Sequence, residues 1–343
     1  MNVSSVESPE LRPTLADVAR AAGVSTATAS RVLNGFPRVR PTTRRQVESA
    51  MSALGYARQR AARAATGPTG SIALVVCEEV LRLFADPFFA RIAAGAGREL
   101  TAAGLQLVLL TVPATEDYQA PVVRYLDGGH VDGALVVGMH GRRPLDLGWL
   151  GIPVVFGGRP VCAGEPGRFS YVDVDNRGGA QRATQRLIDA GRRTVATIAG
   201  PQDMTAGVDR LLGYRQAVAG AGHGDRGLVV FGDFGQASGQ QATARLLDRR
   251  PHVDAIFAAS DMMAVGAMRA LHRAGRRVPG DVAVIGFDDL PIGLRTDPPL
   301  TTVRQPIEEM GARMTDELLA MLGGSAAPCC AVLDTELVLR ASA

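Results

Sequence analysis

The chain contains no lysine: all 37 of its basic residues, in 343 positions, are arginine. That absence removes every chemistry built on a lysine amine. A pyridoxal Schiff base, a lysine-dependent aldolase, a P-loop phosphate clamp and a kinase-type strand lysine are all excluded. Cysteine is scarce as well. Cys77, Cys162, Cys329 and Cys330 have neither a Cys-x-x-Cys spacing nor a zinc-ligand spacing, which predicts incidental thiols of a reduced compartment. The five histidines (130, 140, 223, 252 and 272) form no His-Glu-x-x-His pairing, so no metal site is expected. There is no Gly-x-Ser-x-Gly elbow, and no Gly-x-Gly-x-x-Gly follows the first predicted strand. No apolar run reaches the roughly 20 residues of a membrane helix. Positions 1–13 carry Glu7 and Glu10 and lack the apolar stretch of a secretory signal, so they are expected to be a disordered leader.

What is present is unevenly spread. Hydrophobic residues make up 46% of the chain, ample for real cores, and the length predicts two or three units. Ten arginines lie between Arg12 and Arg63 against only Asp17 and Glu48, a local balance of +8. From residue 67 onward, 27 arginines meet 30 acids, a balance of −3. A basic head on a mildly acidic body is the electrostatic footprint of a polyanion-binding module joined to something else. A solvated basic helical face has the same composition.

The head is patterned as two short helices and a tight turn, residues 14–34. Leu15, Val18, Ala19 and Ala22 recur at three- and four-residue spacing, giving one buried face. Thr14 and Asp17 have the spacing of a capping box, Gly23 suits the end of the first helix, and Ser25 suits the N-cap of the second. The second helix, from Thr26 to about Leu33, buries Ala29, Val32 and Leu33. It leaves Thr26, Ala27, Ser30, Arg31 and Asn34 to a partner. The spacing fits a helix-turn-helix and equally an αα-hairpin in any helical domain. A third helix is predicted over 41–54, with Val47, Ala50, Met51 and Leu54 on one face and Pro41 in the first turn. Residues 57–66 are rich in alanine and arginine, too short for an isolated helix, and residues 67–70 read as a Gly/Pro linker.

Beyond the linker, apolar strands alternate with amphipathic helices. Strands are predicted at 71–76, 105–112, 131–138 and 153–156, then at 194–199, 227–231, 253–259 and 282–287. Helical patterns cover 88–103, 178–190, 211–221, 238–247 and 262–274. The alternation of doubly wound parallel sheets thus occurs twice, and the stretches beginning Val131-Asp and Val253-Asp read as equivalent third strands. A helix over 307–321 and a strand over 330–339 are expected to return across the lobes. Ligands bind such sheets beyond the strand C-termini, so the cleft between the lobes is the expected site.

These residues carry a family resemblance. Residues 14–34 and 43–56 resemble the headpiece of LacI/GalR (lactose/galactose repressor) transcription regulators. The body is similar to the same family's effector domain, itself like periplasmic sugar-binding proteins. The matching pieces run in order: Asp86-Pro-Phe-Phe89, Val131-Asp-Gly-Ala134, Asp175-Asn-Arg-Gly-Gly179, Arg210-Leu-Leu-Gly-Tyr214, Ser260-Asp-Met-Met263, Gly286-Phe-Asp-Asp289 and Pro299-Leu-Thr-Thr-Val303. Any one is weak; the ordered set is specific. The implied fold is α/β, a three-helix helix-turn-helix headpiece plus a two-lobed, doubly wound parallel-sheet (periplasmic binding protein-like) effector domain. The implied domains are a leader at 1–13, the headpiece at 14–56, a hinge helix and linker at 57–70, and an effector and dimerisation domain at 71–343. Its first lobe is expected over 71–190 and 303–330, its second over 191–302 and 331–343.

The resemblance implies a cytoplasmic, nucleoid-associated homodimeric repressor. It would bind a near-palindromic double-stranded operator and be switched by a small sugar, with no cofactor and no membrane. Thr26, Ala27 and Arg31 fall where relatives read bases, and Arg31 suits a bidentate contact to guanine. Thr28, Ser30 and Asn34 suit phosphates. Where relatives place a minor-groove leucine wedge this chain has Ala65, so either the operator is bent less or Arg60 and Arg63 replace wedging with phosphate or minor-groove attraction. Arg40 stands where a capping serine is usual. In the cleft the resemblance points to Asp86, Phe88, Phe89 and Arg159 from the first lobe. From the second it points to Arg210, Phe234, Ser260 and Asp288, with Gln305 on a crossover. Gly158 and Ser260 stand where aspartate and asparagine are common, which predicts a more positive cleft and leaves open a phosphorylated or otherwise acidic sugar, or a non-sugar ligand. Two other readings remain: a sugar receptor with no DNA role, disfavoured by the basic head, and an α/β enzyme. For the enzyme, Asp288 and Asp289 make a poor catalytic pair, because neighbours on an extended segment face opposite ways.

Overall fold

A computed structural model describes residues 13–33, 39–54, 67–113, 119–141, 147, 150–160, 169–222, 224–324 and 328–343. The headpiece holds α1 (Leu15–Ala21), α2 (Thr26–Leu33) and α3 (Pro41–Leu54). Thr14 and Asp17 form the capping box, each side chain meeting the other's backbone N–H. Gly23 ends α1 at φ +66°, a left-handed conformation that glycine adopts without a Cβ clash. The Ser25 hydroxyl accepts from the Thr28 N–H at 3.1 Å and caps α2. Val18, Ala19, Ala29, Val32, Val47, Ala50 and Met51 form the shared core. Leu54, expected on the buried face, is exposed, because that small core ends one turn earlier at Met51.

The body has two six-stranded sheets. The first contains β1 (Ser71–Val76), β2 (Gln106–Thr111), β3 (Gly133–Val137), β4 (Val154–Gly157), β5 (Ser170–Val174) and β11 (Cys330–Leu333), in the order β11-β5-β4-β3-β1-β2. The second contains β6 (Val195–Ala199), β7 (Val229–Phe231), β8 (Ala255–Ala258), β9 (Ala283–Asp288), β10 (Thr301–Arg304) and β12 (Glu336–Val338), in the order β12-β10-β9-β8-β6-β7. Among the described residues, only β10 and β12 pair antiparallel. The helices are α4 (Val80–Ala85), α5 (Pro87–Ala102), α6 (Gln119–Asp127), α7 (Asn176–Asp189), α8 (Thr205–Gly220), α9 (Gln236–Arg249), α10 (Asp261–Arg273) and α11 (Ile307–Leu322).

The twin Val-Asp motifs have a shared structural task. The Asp132 carboxylate accepts the backbone N–H groups of Thr69 and Gly70 at 3.1 and 2.8 Å, immediately before β1. Asp254 accepts those of Arg193 and Thr194 at 2.8 and 2.9 Å, immediately before β6. Each lobe thus ties the start of its first strand to its third strand, satisfying donors that the ladder leaves open.

Helices covering the sheets pack very closely where glycine permits it. A Cβ on Gly311 of α11 would lie 2.3 Å from the Ile92 carbonyl of α5, and one on Gly266 of α10 would lie 2.1 Å from the Gln236 carbonyl of α9. Neither backbone carbonyl can step aside, so these positions set the interhelical distance.

The chain crosses between lobes after β5, after β10, and between β11 and β12. This differs from the expected boundaries in two places. Helix α7, expected in the first lobe, packs Ala180, Ala183 and Leu187 into the second lobe's core with Val195, Phe257 and Phe287. The expected single strand over 330–339 is two strands: β11 joins the first sheet beside β5, and β12 joins the second beside β10. Strands β5 and β10 were not expected; their Ser-Tyr-Val-Asp-Val and Thr-Thr-Val-Arg sequences are too polar to read as core. Among the described residues, no helix is long and apolar enough to cross a membrane and no cluster of histidine, cysteine or acids is arranged to hold a metal.

Candidate functional site

The strand C-termini of both sheets face one another across a cleft of about 840 Å³, open solvent at its mouth included. First-lobe residues Asp86, Phe88, Phe89 and Arg159 and second-lobe residues Arg210, Phe234 and Asp288 line it with Gln305 from the crossover. Eight of the nine residues expected there are therefore brought together.

Arg210 is the hub. It projects from α8 and is buried, with its guanidinium 3.7 Å from the centre of the Phe287 ring and 5.6 Å from that of Phe234. Its Nε donates to Asn176 Oδ1 at 2.8 Å, and its Nη1 donates to the Ala259 carbonyl at 2.6 Å and to Asp288 at 3.4 Å. Gln305 Nε2 donates to the same Asp288 oxygen at 2.6 Å. Asn176 Nδ2 in turn donates to Asp173 Oδ1 at 2.9 Å, carrying the network from the second lobe to the end of β5 in the first. Burial pushes the Asp288 carboxyl up to about 7; Arg210 opposes that shift and the Asp86 charge adds to it. Asp288 and Asp289 both sit at positive φ, 122° and 55°, a costly backbone conformation of the kind that clusters at ligand sites.

Asp86 caps α5, accepting the Phe88 N–H at 3.0 Å, and burial raises its pKa. The cap fixes the start of the helix that carries Phe88 and Phe89, whose rings meet edge to face with centroids 5.3 Å apart.

Ser260 departs from expectation: it does not line the cleft. Its hydroxyl caps α10 by accepting the Met263 N–H at 3.1 Å and donates to the Phe234 carbonyl at 2.9 Å. Its polar capacity is spent on holding Phe234, which sits at φ 70°. Ser260 positions an aromatic wall rather than touching a ligand.

Arg159 also acts differently from a ligand clamp. Its guanidinium donates to Asp209 of α8 at 2.6 Å, and its carbonyl accepts the Thr205 hydroxyl at 2.6 Å. A second clasp joins the lobes nearby. His140, after β3, lies 3.2 Å from Asp203 of the second lobe and 3.5 Å from Glu78 of the first. The Glu78 carboxylate, helped by Asp203, holds the His140 pKa above its usual value. The lobes are therefore drawn together in this conformation.

Sequence reasoning missed several lining residues, among them Glu78, Arg82, Asp173, Asn176 and Thr205. Glu78, Asp173 and Asn176 lie at or just beyond strand ends, where the parallel-sheet rule points. With them the lining carries the carboxyls of Glu78, Asp86, Asp173 and Asp288 beside the guanidinium groups of Arg82, Arg159 and Arg210. Gly158 has φ +92°, so the loop at this position has adopted a course that an aspartate would strain.

The comparisons agree with this architecture at both ends of the chain. Residues 14–59 match the family described as bacterial regulatory proteins, lacI family, and residues 184–343 match the periplasmic binding protein-like domain. The transcriptional regulator CelR of Thermobifida fusca is 48% identical over 336 residues, 96% of this chain and 98% of that protein. The chain belongs to the LacI family of transcriptional regulators. The ribose operon repressor of Escherichia coli K12 is 34% identical over 308 residues, covering 89% of this chain and 92% of that one. A solved CelR–cellobiose complex superposes with a TM-score of 0.80 at 47% identity, covering 97% of this chain and all of the other. The lac repressor dimer bound to operator and the anti-inducer ONPF gives 0.71 at 28% identity, covering 97% and 99%.

The LacI-family headpiece here presents Thr26, Ala27 and Arg31 as exposed residues of α2, while Ser30 and Thr28 are half-buried. The Thr28 hydroxyl lies 2.8 Å from Ser25 Oγ, inside the cap. Asn34, Arg60, Arg63 and Ala65 lie outside the described residues. The Arg40 carbonyl accepts the Arg44 N–H at 3.0 Å, opening α3.

Proposed function

We propose that the chain is a repressor that binds a near-palindromic operator as a homodimer and releases or grips it according to a neutral sugar held between the lobes. One observation carries the sugar. The cleft sets the rings of Phe88, Phe89, Phe156 and Phe234 beside buried carboxylates and guanidinium groups. Aromatic faces cover the C–H side of a sugar ring, while paired donors and acceptors take its hydroxyls. The CelR–cellobiose complex, at 47% identity, supports a short β-linked glucose oligosaccharide as the ligand class.

On the DNA side, Arg31 carries the base reading through a bidentate guanine contact, with Thr26 second and the Ala27 methyl a minor partner. Thr28, Ser30 and Asn34, with Arg60 and Arg63 of the hinge, position the protein on phosphates. Effector occupancy biases lobe closure, which the Arg159–Asp209 and His140–Asp203 clasps stabilise, and closure alters the spacing of the two hinges in the dimer.

The test is operator affinity with and without sugars. DNA selected by binding to the full-length protein is titrated by fluorescence anisotropy in the presence of cellobiose, gentiobiose, maltose, lactose or glucose. A several-fold change with one of them supports the reading; no change across the panel refutes it.

A further inference from the structure

The crossover after β10 is enclosed by a ring of contacts drawn from both lobes. Arg304, the last residue of β10, donates from Nε to Asp289 Oδ2 at 2.7 Å. Just beyond the crossover, Glu308 of α11 receives Arg91 of α5 on both carboxylate oxygens, Nε at 2.6 Å and Nη2 at 2.7 Å. Arg91 Nη1 then donates to the Asp289 carbonyl at 3.3 Å, closing the ring across the lobes. The Arg340 guanidinium holds the other Asp289 carboxylate oxygen at 2.5 Å. Partial burial raises the Asp289 carboxyl, but the bonds from Arg340 and Arg304 outweigh it and hold the group below the usual carboxylate range. One turn along α5 from Arg91, a Cβ on Gly95 would collide with the Glu308 carbonyl. The two helices therefore meet at backbone distance where Arg91 reaches Glu308.

Inside the ring lies a link to the cleft. Gln305 donates to Asp288 while its neighbour Arg304 donates to Asp289, so consecutive residues of the crossover are gripped by consecutive acids. Asp288 lines the cleft; Asp289, Arg91, Arg304 and Glu308 do not. The next residue, Leu290, joins the first-lobe core that holds Ile92 and Met310, while its N–H donates to Asp261 of the second lobe at 2.7 Å. Asp288 and Asp289 both hold positive φ, a conformation that persists only where the surroundings enforce it.

We propose that Arg91 and Asp289 form a coupling joint, which converts occupancy of the Asp288 carboxyl into a change of angle at the crossover after β10. A ligand hydroxyl that takes up Asp288 competes with Gln305 for it, and the displacement reaches the ring one residue away. Neither Arg91 nor Asp289 touches the ligand, so Arg91 is a positioning residue. Its loss spares ligand binding and weakens the response of the headpiece. The joint rests on the effector reading of the cleft.

The experiment uses the full-length protein and its selected operator, as wild type, Arg91→Gln and Glu308→Gln. Anisotropy gives operator affinity with and without saturating cellobiose, gentiobiose, maltose, lactose or glucose, and calorimetry gives sugar affinity without DNA. For the sugar that acts, Arg91→Gln should shrink the change in operator affinity about three- to tenfold, while sugar affinity moves less than about threefold. Glu308→Gln, which leaves Arg91 able to reach the Asp289 carbonyl, should shrink it less. The Arg91 and Glu308 side chains are 24% and 42% exposed, so both variants should fold, and circular dichroism checks that they do. An undiminished response in Arg91→Gln, a larger loss in Glu308→Gln, or a sugar affinity that falls as far as the response overturns the joint and leaves the effector reading standing. A wild type whose operator affinity no sugar changes overturns both.

Discussion

Arg159, just past the end of β4 in the first lobe, reaches across the cleft to Asp209 of α8 in the second and holds it at 2.6 Å. Arg159 also donates its backbone N–H to Asp173 at 3.1 Å, so one residue ties together the end of β5, its own loop and the opposite lobe. A residue expected at the ligand, and placed in the cleft lining, also grips the other half of the protein.

Asp209→Asn should therefore loosen closure more than it loosens folding. The Arg159 side chain is 46% exposed, so the pair contributes no more than about 1 kcal/mol to global stability. Effector affinity is expected to fall roughly two- to fivefold while the unfolding midpoint in urea barely moves. Calorimetry alongside denaturation separates the two; an unfolding loss larger than the binding loss would count against the clasp.

Stability of the effector-free protein should decline as pH rises from about 4 to about 7.5. Asp288 has a folded pKa of about 7, above its unfolded value, so in that window the folded chain keeps a proton that the unfolded chain has released. Burial raises Asp86, Asp173 and Asp261 in the same direction. His140 adds the same sign, because its raised pKa stabilises at low pH and that contribution is lost as pH passes its folded value. Asp233, Asp289 and Glu308 are lowered and act oppositely, but only below about pH 4.5. Thermal melts of Asp288→Asn should show a visibly flatter pH profile; an unchanged slope between pH 5 and 7.5 would remove Asp288 from this role.

Arg31→Ala should cost about 1–3 kcal/mol of specific DNA affinity and relax preference at one base position, as expected for a lost bidentate guanine contact. Non-specific affinity should fall less. Selection of DNA from a random pool by the variant checks it, and retained selectivity at every position would refute the assignment. With ten arginines from Arg12 to Arg63, the wild type should also show a steep dependence of affinity on salt.

Ser260→Ala should lower both stability and effector affinity. Loss of the α10 cap is worth about 1 kcal/mol. Phe234 additionally loses the hydroxyl that holds its carbonyl at 2.9 Å, so its ring should wander in the cleft. Ser260→Thr, which keeps the hydroxyl, should restore most of both; failure of that rescue alongside a normal fold would point away from positioning.

Gly311→Ala should destabilise the first lobe by roughly 1–3 kcal/mol, since the added methyl meets the Ile92 carbonyl 2.3 Å away. Urea denaturation measures it directly, and a neutral outcome would mean that α5 and α11 can separate freely.

The headpiece was legible because its signals are local. Thr14 with Asp17, Gly23, and Ser25 with Thr28 each settle a helix end within three residues. The alternation of apolar strands and helices was equally legible, apart from β5 and β10, whose threonine-, serine- and aspartate-bearing sequences lie next to the crossovers and the cleft. The strand-end rule pointed to the cleft, and the family pattern to Asp288 and Arg210 within it. They missed Glu78 and Arg82, an ion pair in the cleft wall, because which residues beyond a strand end turn toward the cleft is decided only when the surrounding groups are in place.

The amino-acid sequence by itself determined a basic three-helix head on two doubly wound lobes, and the exclusion of lysine chemistry. Helix caps, hydrophobic period and composition act over a few residues and need no partner from elsewhere. Tertiary structure alone decided what the cleft residues do. It turned Arg159 toward Asp209, 50 positions away, and spent Ser260 on Phe234, 26 positions away. It also brought two further carboxyl groups, those of Glu78 and Asp173, to the wall of the cleft. Those outcomes depend on which groups remain unsatisfied once two lobes close on one another, and no local pattern encodes that.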